Sequence, residues 1–403
     1  MKFNFKETDI TKTLKMNELI KQGEGCYSSS LGWLNVDKWA NDERLNYLKA
    51  IAKEIQEKAE VLVLIGIGGS NQGARAVIDA LGNKSNCKVV WAGNTLSSFE
   101  TERILKEIED KDFCINVIAK NFETLEPGVA FRIFRAALIK KYGTSYNNRV
   151  YTTGTCGSYF DVLSKREGYT FLTFPEDIGG RYSIFSDVGL LPIAVAGIDI
   201  DSLVKGAKRM QRDIFKEPTA VIEYAAMRNY YYEEGYKMEM LSFFEPRLFR
   251  FAKWWTQLMA ESEGKDNKGL YPIVGSYSED LHSIGQFIQD GSKVIFETFI
   301  SVKDSDSQLA LSNDEVADRF DYLSDKTLFE VNKVSEAATI KAHSMVLPIN
   351  QIEIDEINEE NMGGLFYFFM YLCYLSGKTL GINPFDQPGV EAYKKWMFEG
   401  LGK

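Results

Sequence analysis

Val61-Leu62-Val63-Leu64-Ile65-Gly66-Ile67-Gly68-Gly69-Ser70-Asn71-Gln72-Gly73 is the stretch on which the fold turns. Five β-branched or leucine residues run without a polar break, stop at a glycine cluster and give way to helical spacing over Gln72–Leu81. The order therefore reads as strand, phosphate-type turn, helix. The glycines let backbone amides approach an anion, and the helix N-terminus adds partial positive charge. Gly68, Gly69 and the Ser70 hydroxyl are thereby candidate binding groups, although a tight packing turn or a dinucleotide fingerprint would look the same. A nicotinamide cofactor's ribose asks for an acidic residue about 20 positions on. Here the next strand ends in Trp91-Ala92-Gly93-Asn94, which weakens an oxidoreductase reading.

Working outward, a helical lead-in over Asp42–Ala59 precedes this unit, and the strand–helix alternation repeats after it. Val89–Trp91 leads to Ser98–Glu107, and Cys114–Ala119 leads to Pro127–Lys141. Further strands are expected at Arg149–Thr152 and Tyr169–Phe174. This series predicts a parallel α/β architecture. Asp187–Ala196 opens a mostly helical stretch, and a boundary is placed near residue 200. Beyond it come a helix at Ile200–Phe215, a strand at Lys237–Phe243 and a long aromatic helix around Arg247–Glu261. Strands at Val294–Val302 and Met345–Ile352 follow. The expected division is a lead-in at 1–44, a first α/β domain at 45–199 and a second at 200–403.

The bulk numbers agree with this. A chain of 403 residues with 45% hydrophobic content can bury the cores of two domains. A net charge of −10 argues against a nucleic-acid partner, since phosphate backbones are held by Lys and Arg. A small anionic substrate would need local donors to overcome that field. The five cysteines contain no C-x-x-C pair, so neither a disulfide framework nor a structural zinc site is expected. With only two histidines, His282 and His343, one chain cannot build a three-histidine zinc centre. No window approaches the ~20 apolar residues of a membrane span and Met1–Lys15 has no signal-peptide pattern, so no membrane partner and a cytoplasmic address are expected.

Four more segments carry chemistry. In Asp177-Ile178-Gly179-Gly180-Arg181-Tyr182-Ser183-Ile184-Phe185-Ser186 a single Arg stands beyond a glycine pair, and a guanidinium there could stabilise a developing enolate. Its alternative is an ordinary ion pair with Asp177 or Asp187. Ala260-Glu261-Ser262-Glu263-Gly264-Lys265 ends the aromatic helix; Glu261 could be a proton-transferring base or part of a solvated helix end. Ser278-Glu279-Asp280-Leu281-His282-Ser283-Ile284-Gly285-Gln286 holds one of the two histidines, either as acid–base group or as a hydrogen-bonded structural residue. Gly381-Ile382-Asn383-Pro384-Phe385-Asp386-Gln387-Pro388-Gly389 fixes a rigid turn before a terminal helix, from which Gln387 and Lys394 could project inward or merely pack.

These segments resemble a known family. Asp177–Ser186 and Gly381–Lys394 match the two signature regions of glucose-6-phosphate isomerases, and Gly66–Ser70, Glu261–Lys265 and Asp280–Gln286 match further blocks in order. The resemblance spans about residues 40–400 and is greatest to the shorter bacterial enzymes. It implies two sugar-isomerase (SIS-like) domains, each a mainly parallel sheet flanked by helices. It also implies a sugar-phosphate substrate, no cofactor or metal, and a homodimer whose partner supplies part of each active site. Under the resemblance Glu261 moves a proton between C2 and C1 through a cis-enediol(ate) that Arg181 stabilises. His282, contributed across the dimer, and Lys394 open the sugar ring, with Glu126 orienting the histidine and Gln387 contacting substrate. Ser70 and the loop holding Lys120, Asn121 and Thr124 match the phosphate site. That loop departs from the family's Ser-Lys-Ser/Thr-x-Thr-Thr, because Ala119, Asn121 and Glu123 lack the expected hydroxyls. A weakened phosphate grip follows, with a different sugar substrate or a non-catalytic sugar-phosphate sensor as the alternatives. The segment Ala342–Pro348 is also shorter than the bacterial pattern.

Overall fold

The computed structural model describes residues 1–23, 27–305, 307–312, 316 and 318–402; Cys26 lies outside them. Among these residues ten strands fall into two five-stranded sheets. They are β1 (Lys2–Asn4), β2 (Val61–Ile65), β3 (Lys88–Ala92), β4 (Phe113–Ile118), β5 (Val150–Gly154) and β6 (Thr170–Thr173), then β7 (Met238–Phe243), β8 (Tyr271–Ser276), β9 (Ile295–Val302) and β10 (Ile349–Ile354). The first sheet has the order β3-β2-β4-β5-β6 and is parallel throughout, with Val63 of β2 set between Val90 and Ile115. The interior strand β2 explains its own composition. Leu62 and Leu64 join the main core on one face, and Val61, Val63 and Ile65 join a second core on the other, so no position tolerates a polar side chain.

The second sheet runs β1-β10-β9-β7-β8, and only β1 is antiparallel to its neighbour. The lead-in therefore does not stand apart: Phe3 pairs with Ile352, tying the start of the chain to the second sheet. The boundary near residue 200 falls between two helices, Asp187–Val195 and Ile200–Lys216. The fold is thus α/β with two mainly parallel sheets flanked by helices.

One helix, Glu359–Leu380, is buried from Asn361 through Gly377 and is apolar on all sides over most of that length. A helix with no polar face belongs in the middle of a protein. It crosses Ile200–Lys216 at unusually close range, where a Cβ on Gly363 would lie 1.9 Å from the Leu203 carbonyl oxygen. The main core draws on both sheets through Leu62, Leu64, Leu241 and Phe296, which places the carboxyl ends of the two sheets on a shared framework. Among the described residues no helix is long and apolar enough to cross a membrane.

Candidate active site

The glycine turn after β2 is where the halves of the site meet. Gly68 has φ 59°, a conformation costly for any residue with a Cβ. Gly69 is constrained more severely, since a Cβ there would stand 2.0 Å from the Gly180 carbonyl carbon and oxygen. Backbone presses on backbone, so the turn of the first sheet positions the loop that carries Arg181.

Arg181 is 3% exposed and all three of its guanidinium nitrogens are engaged. Nε donates to Ser262 Oγ at 2.7 Å, one terminal nitrogen to Gln387 Oε1 at 3.2 Å and the other to the Pro384 carbonyl at 2.6 Å. The Trp254 indole donates to the Arg181 carbonyl at 3.2 Å. Neither candidate surface partner is used: Asp177 accepts from Lys38 and the Trp39 indole, and Asp187 from Arg44. The one carboxylate placed on the Arg181 guanidinium is Glu261, with Oε1 3.2 Å away. A buried cation fixed by neutral acceptors and a single carboxylate is a preorganised source of positive potential.

Glu261 sits in the last turn of the helix Phe249–Glu263 and keeps 30% of its side chain exposed. Its second oxygen accepts from Gln257 Nε2 at 3.0 Å. Gln257, four residues earlier on the same helical face, also lies against the glycine turn, since a Cβ on Gly68 would meet its amide nitrogen at 2.9 Å. The two residues after Glu261 divide between two arginines. Ser262 takes the Arg181 bond, while Glu263 is wholly buried and pairs with both terminal nitrogens of Arg228, whose Nε donates to Glu239 on β7 at 2.6 Å. Arg228 also relieves a negative side chain placed at a helix C-terminus.

A cleft of about 660 Å³ opens at this helix end, lined by Glu261, Lys265, Asn383, Asp386, Gln387 and Gly389. Lys265 donates to the Ser262 and Asn383 carbonyls, and burial followed by the nearby Arg181 charge pulls its pKa down. Lys394, on the terminal helix Glu391–Gly400, pairs with Glu391 at 2.7 Å. Its pKa is raised chiefly by that hydrogen bond, with the Glu261 charge a smaller contributor. The structure therefore gathers Arg181, Glu261 and Gln387 in one contact group with Lys394 near by.

The remaining candidates are disposed differently. Ser70, at the start of the helix Gly69–Leu81, is half-buried and its hydroxyl makes no hydrogen bond among the described residues. Lys120 donates to the Glu176 and Ile178 carbonyls at 2.8 and 3.1 Å, and burial lowers its pKa. It ties the phosphate-type loop to the approach of Arg181. Phe122 adopts φ 58° and stacks on Phe160 at 4.3 Å, so it anchors the loop from inside. Asn121, Glu123 and Thr124 are exposed, and Ala119 is buried. Glu126 lies in the first turn of the helix Leu125–Tyr142 and His282 ends the short turn Glu279–His282. No hydrogen bond joins Glu126 and His282, nor links either to the Arg181–Glu261 pair, among the described residues. No group of three or more His, Cys, Asp or Glu among those residues could hold a metal ion.

Comparison with known proteins bears on this arrangement. The phosphoglucose isomerase family profile matches residues 49–398. The chain belongs to the phosphoglucose isomerase family. It is 40% identical to a glucose-6-phosphate isomerase of Staphylococcus haemolyticus, over 98% of this chain and 92% of the relative. Identity is 41% to that of Listeria monocytogenes, over 96% and 90%. In fold it is similar to a glucose-6-phosphate isomerase from Chlamydia trachomatis, with a TM-score of 0.80 at 19% identity over 98% of this chain and 85% of the other. A hypothetical protein from Thermus thermophilus gives a TM-score of 0.90 at 24% identity, over 97% and 95%.

Within this family reading, sequence reasoning missed Gln257. The signal available was its place one turn before Glu261, with spacing i, i+4 on a single helical face. Ser262 and Glu263 have no role legible in their own segment, because their partners Arg181 and Arg228 lie far away along the chain.

Proposed function

We propose that the chain interconverts glucose 6-phosphate and fructose 6-phosphate by ring opening followed by proton transfer. The observation that carries this reading is the Arg181–Glu261 pair, a dry, fully committed guanidinium 3.2 Å from a carboxylate that faces a cleft. Glu261 removes the C2 proton of the open-chain aldose and returns it to C1. Arg181 holds the negative charge that builds on the enediol(ate) oxygens, and being fixed beforehand it needs no reorganisation when that charge appears. Gln257 keeps Glu261 turned towards substrate. His282 and Lys394 act on the ring oxygen and its hydroxyl, Glu126 orients His282, and Gln387 contacts the sugar. Gly68, Gly69, Ser70, Lys120, Asn121 and Thr124 form the phosphate end.

The active unit in this reading is a homodimer with shared sites. Support comes from His282 and Glu126, which have no hydrogen-bond partner among the described residues of one chain although the family role joins them. A cytoplasmic address and the division into domains at 45–199 and 200–403 belong to the same reading. The test is a coupled assay with fructose 6-phosphate. Turnover to glucose 6-phosphate is expected, and binding of the sugar phosphate without turnover would return the chain to the sensor alternative.

A further inference from the structure

Away from the cleft, the second sheet buries a carboxylate that the reaction does not use. Glu297 on β9 is fully buried. Its Oε1 accepts from the Tyr277 hydroxyl at 2.7 Å and from the Ser242 hydroxyl at 2.5 Å. Its Oε2 lies 2.8 Å from Nδ1 of His343, at the end of the helix Leu328–His343. Space for this cluster is left by Gly275, where a Cβ would stand 2.7 Å from Ser242 Oγ and 3.3 Å from the Tyr277 ring. Burying a carboxylate is costly, and three converging polar partners show that the cost is met in one defined geometry.

Tyr277 directly follows β8 and opens the turn that carries His282. The rest of that turn is wound on Asp280: its carboxylate accepts from the Ser276 amide at 2.7 Å, and its carbonyl from the Ile284 amide at 2.9 Å. Leu281 and Ile284 pack into the same small core as Tyr277, Phe244 and Phe299. His282 itself is exposed and makes no hydrogen bond among the described residues, so within one chain its place is set by the turn. We infer that Glu297, acting through the Tyr277 hydroxyl, is a positioning residue for His282, holding the root of the turn so that the imidazole is presented at one place.

The inference rests on His282 acting in ring opening, and a double-mutant cycle separates the two claims. Tyr277→Phe removes only the hydroxyl and keeps the ring in its core. It is made in the native chain and in His282→Ala, with kcat and KM for fructose 6-phosphate and the melting temperature measured for all four proteins. Expected is a fall in kcat of about 5- to 20-fold for Tyr277→Phe with KM within about twofold, and less than about a twofold further fall in the His282→Ala background. The same fold-loss in both backgrounds, or no loss in the native one, overturns the positioning role. Undiminished turnover in His282→Ala alone overturns the ring-opening role on which it stands.

Discussion

Arg181 is 3% exposed with every nitrogen committed, whereas His282 is exposed with no hydrogen bond among the described residues, although both are assigned to one reaction. The contrast follows from what each group is asked to do. A cation that stabilises transient negative charge works best when dry and immobile, because any movement or solvent response at that moment adds to the barrier. A histidine that passes protons to a ring oxygen has to exchange them and has to reach substrate, so rigidity is supplied by the backbone beneath it. One group is fixed by bonds within the chain and the other is held only by the turn beneath it.

The most severe way to break this comparison is Glu261→Gln, which keeps the side chain's shape and its Gln257 neighbour while abolishing the base. The expected outcome is a loss of about 10²–10⁴-fold in kcat with KM changed by no more than a few-fold, read in the coupled assay. Turnover near the native level would move the proton-transfer role elsewhere. Next is Arg181→Lys, which preserves charge and loses the fork that reaches Ser262, Gln387 and the Pro384 carbonyl together. A fall of about 10–100-fold in kcat is expected, because a point charge cannot reproduce the fixed geometry.

Gly69→Ala probes the joint between the halves. The added methyl cannot coexist with the Gly180 carbonyl at 2.0 Å, so the loops must separate. A loss of about 1–3 kcal/mol in denaturant stability, with kcat and KM both worsened, is expected. An unaltered enzyme would show that the turn and the Arg181 loop are independent. The smallest effect is reserved for the phosphate end. Asn121→Ser with Glu123→Thr restores two hydroxyls and removes one negative charge from an exposed loop. KM should fall by about 2- to 10-fold with kcat unchanged, less than the full value of charged hydrogen bonds because exposed partners compete with water. Equal or weaker binding would mean the loop is no defect.

Much of this was legible beforehand, for identifiable reasons. β2 announces itself because both of its faces are buried, so five apolar residues in a row leave one reading. The helices Asp42–Lys58 and Ser98–Ile108 begin at Asn41 and Ser97, side chains that cap their first turns. β1 could not be read, since Lys2–Asn4 is a strand only by virtue of pairing with Gln351–Glu353 at the far end of the chain. β8 carries Pro272 and Gly275 and lies at a sheet edge, where the usual composition of a strand is relaxed. The helix Glu359–Leu380 shows no amphipathic period because it has no solvent face. At the site, the family resemblance named Arg181 and Glu261 separately. Their contact, and the choice of Glu261 over Asp177 or Asp187, depended on bringing together residues about 80 positions apart, which no local pattern encodes.

The end of the helix Phe249–Glu263 is held at three successive residues by two arginines: Glu261 and Ser262 both bind Arg181, and Glu263 binds Arg228 and through it β7. Neighbouring positions on a helix point about 100° apart, so Arg181 and Arg228 grip it from different sides. The helix can neither roll nor slip by a residue without breaking all of these bonds at once. Heating therefore has no gentle way to misalign the Glu261 carboxylate, and the temperature at which turnover is lost should coincide with that at which the fold melts.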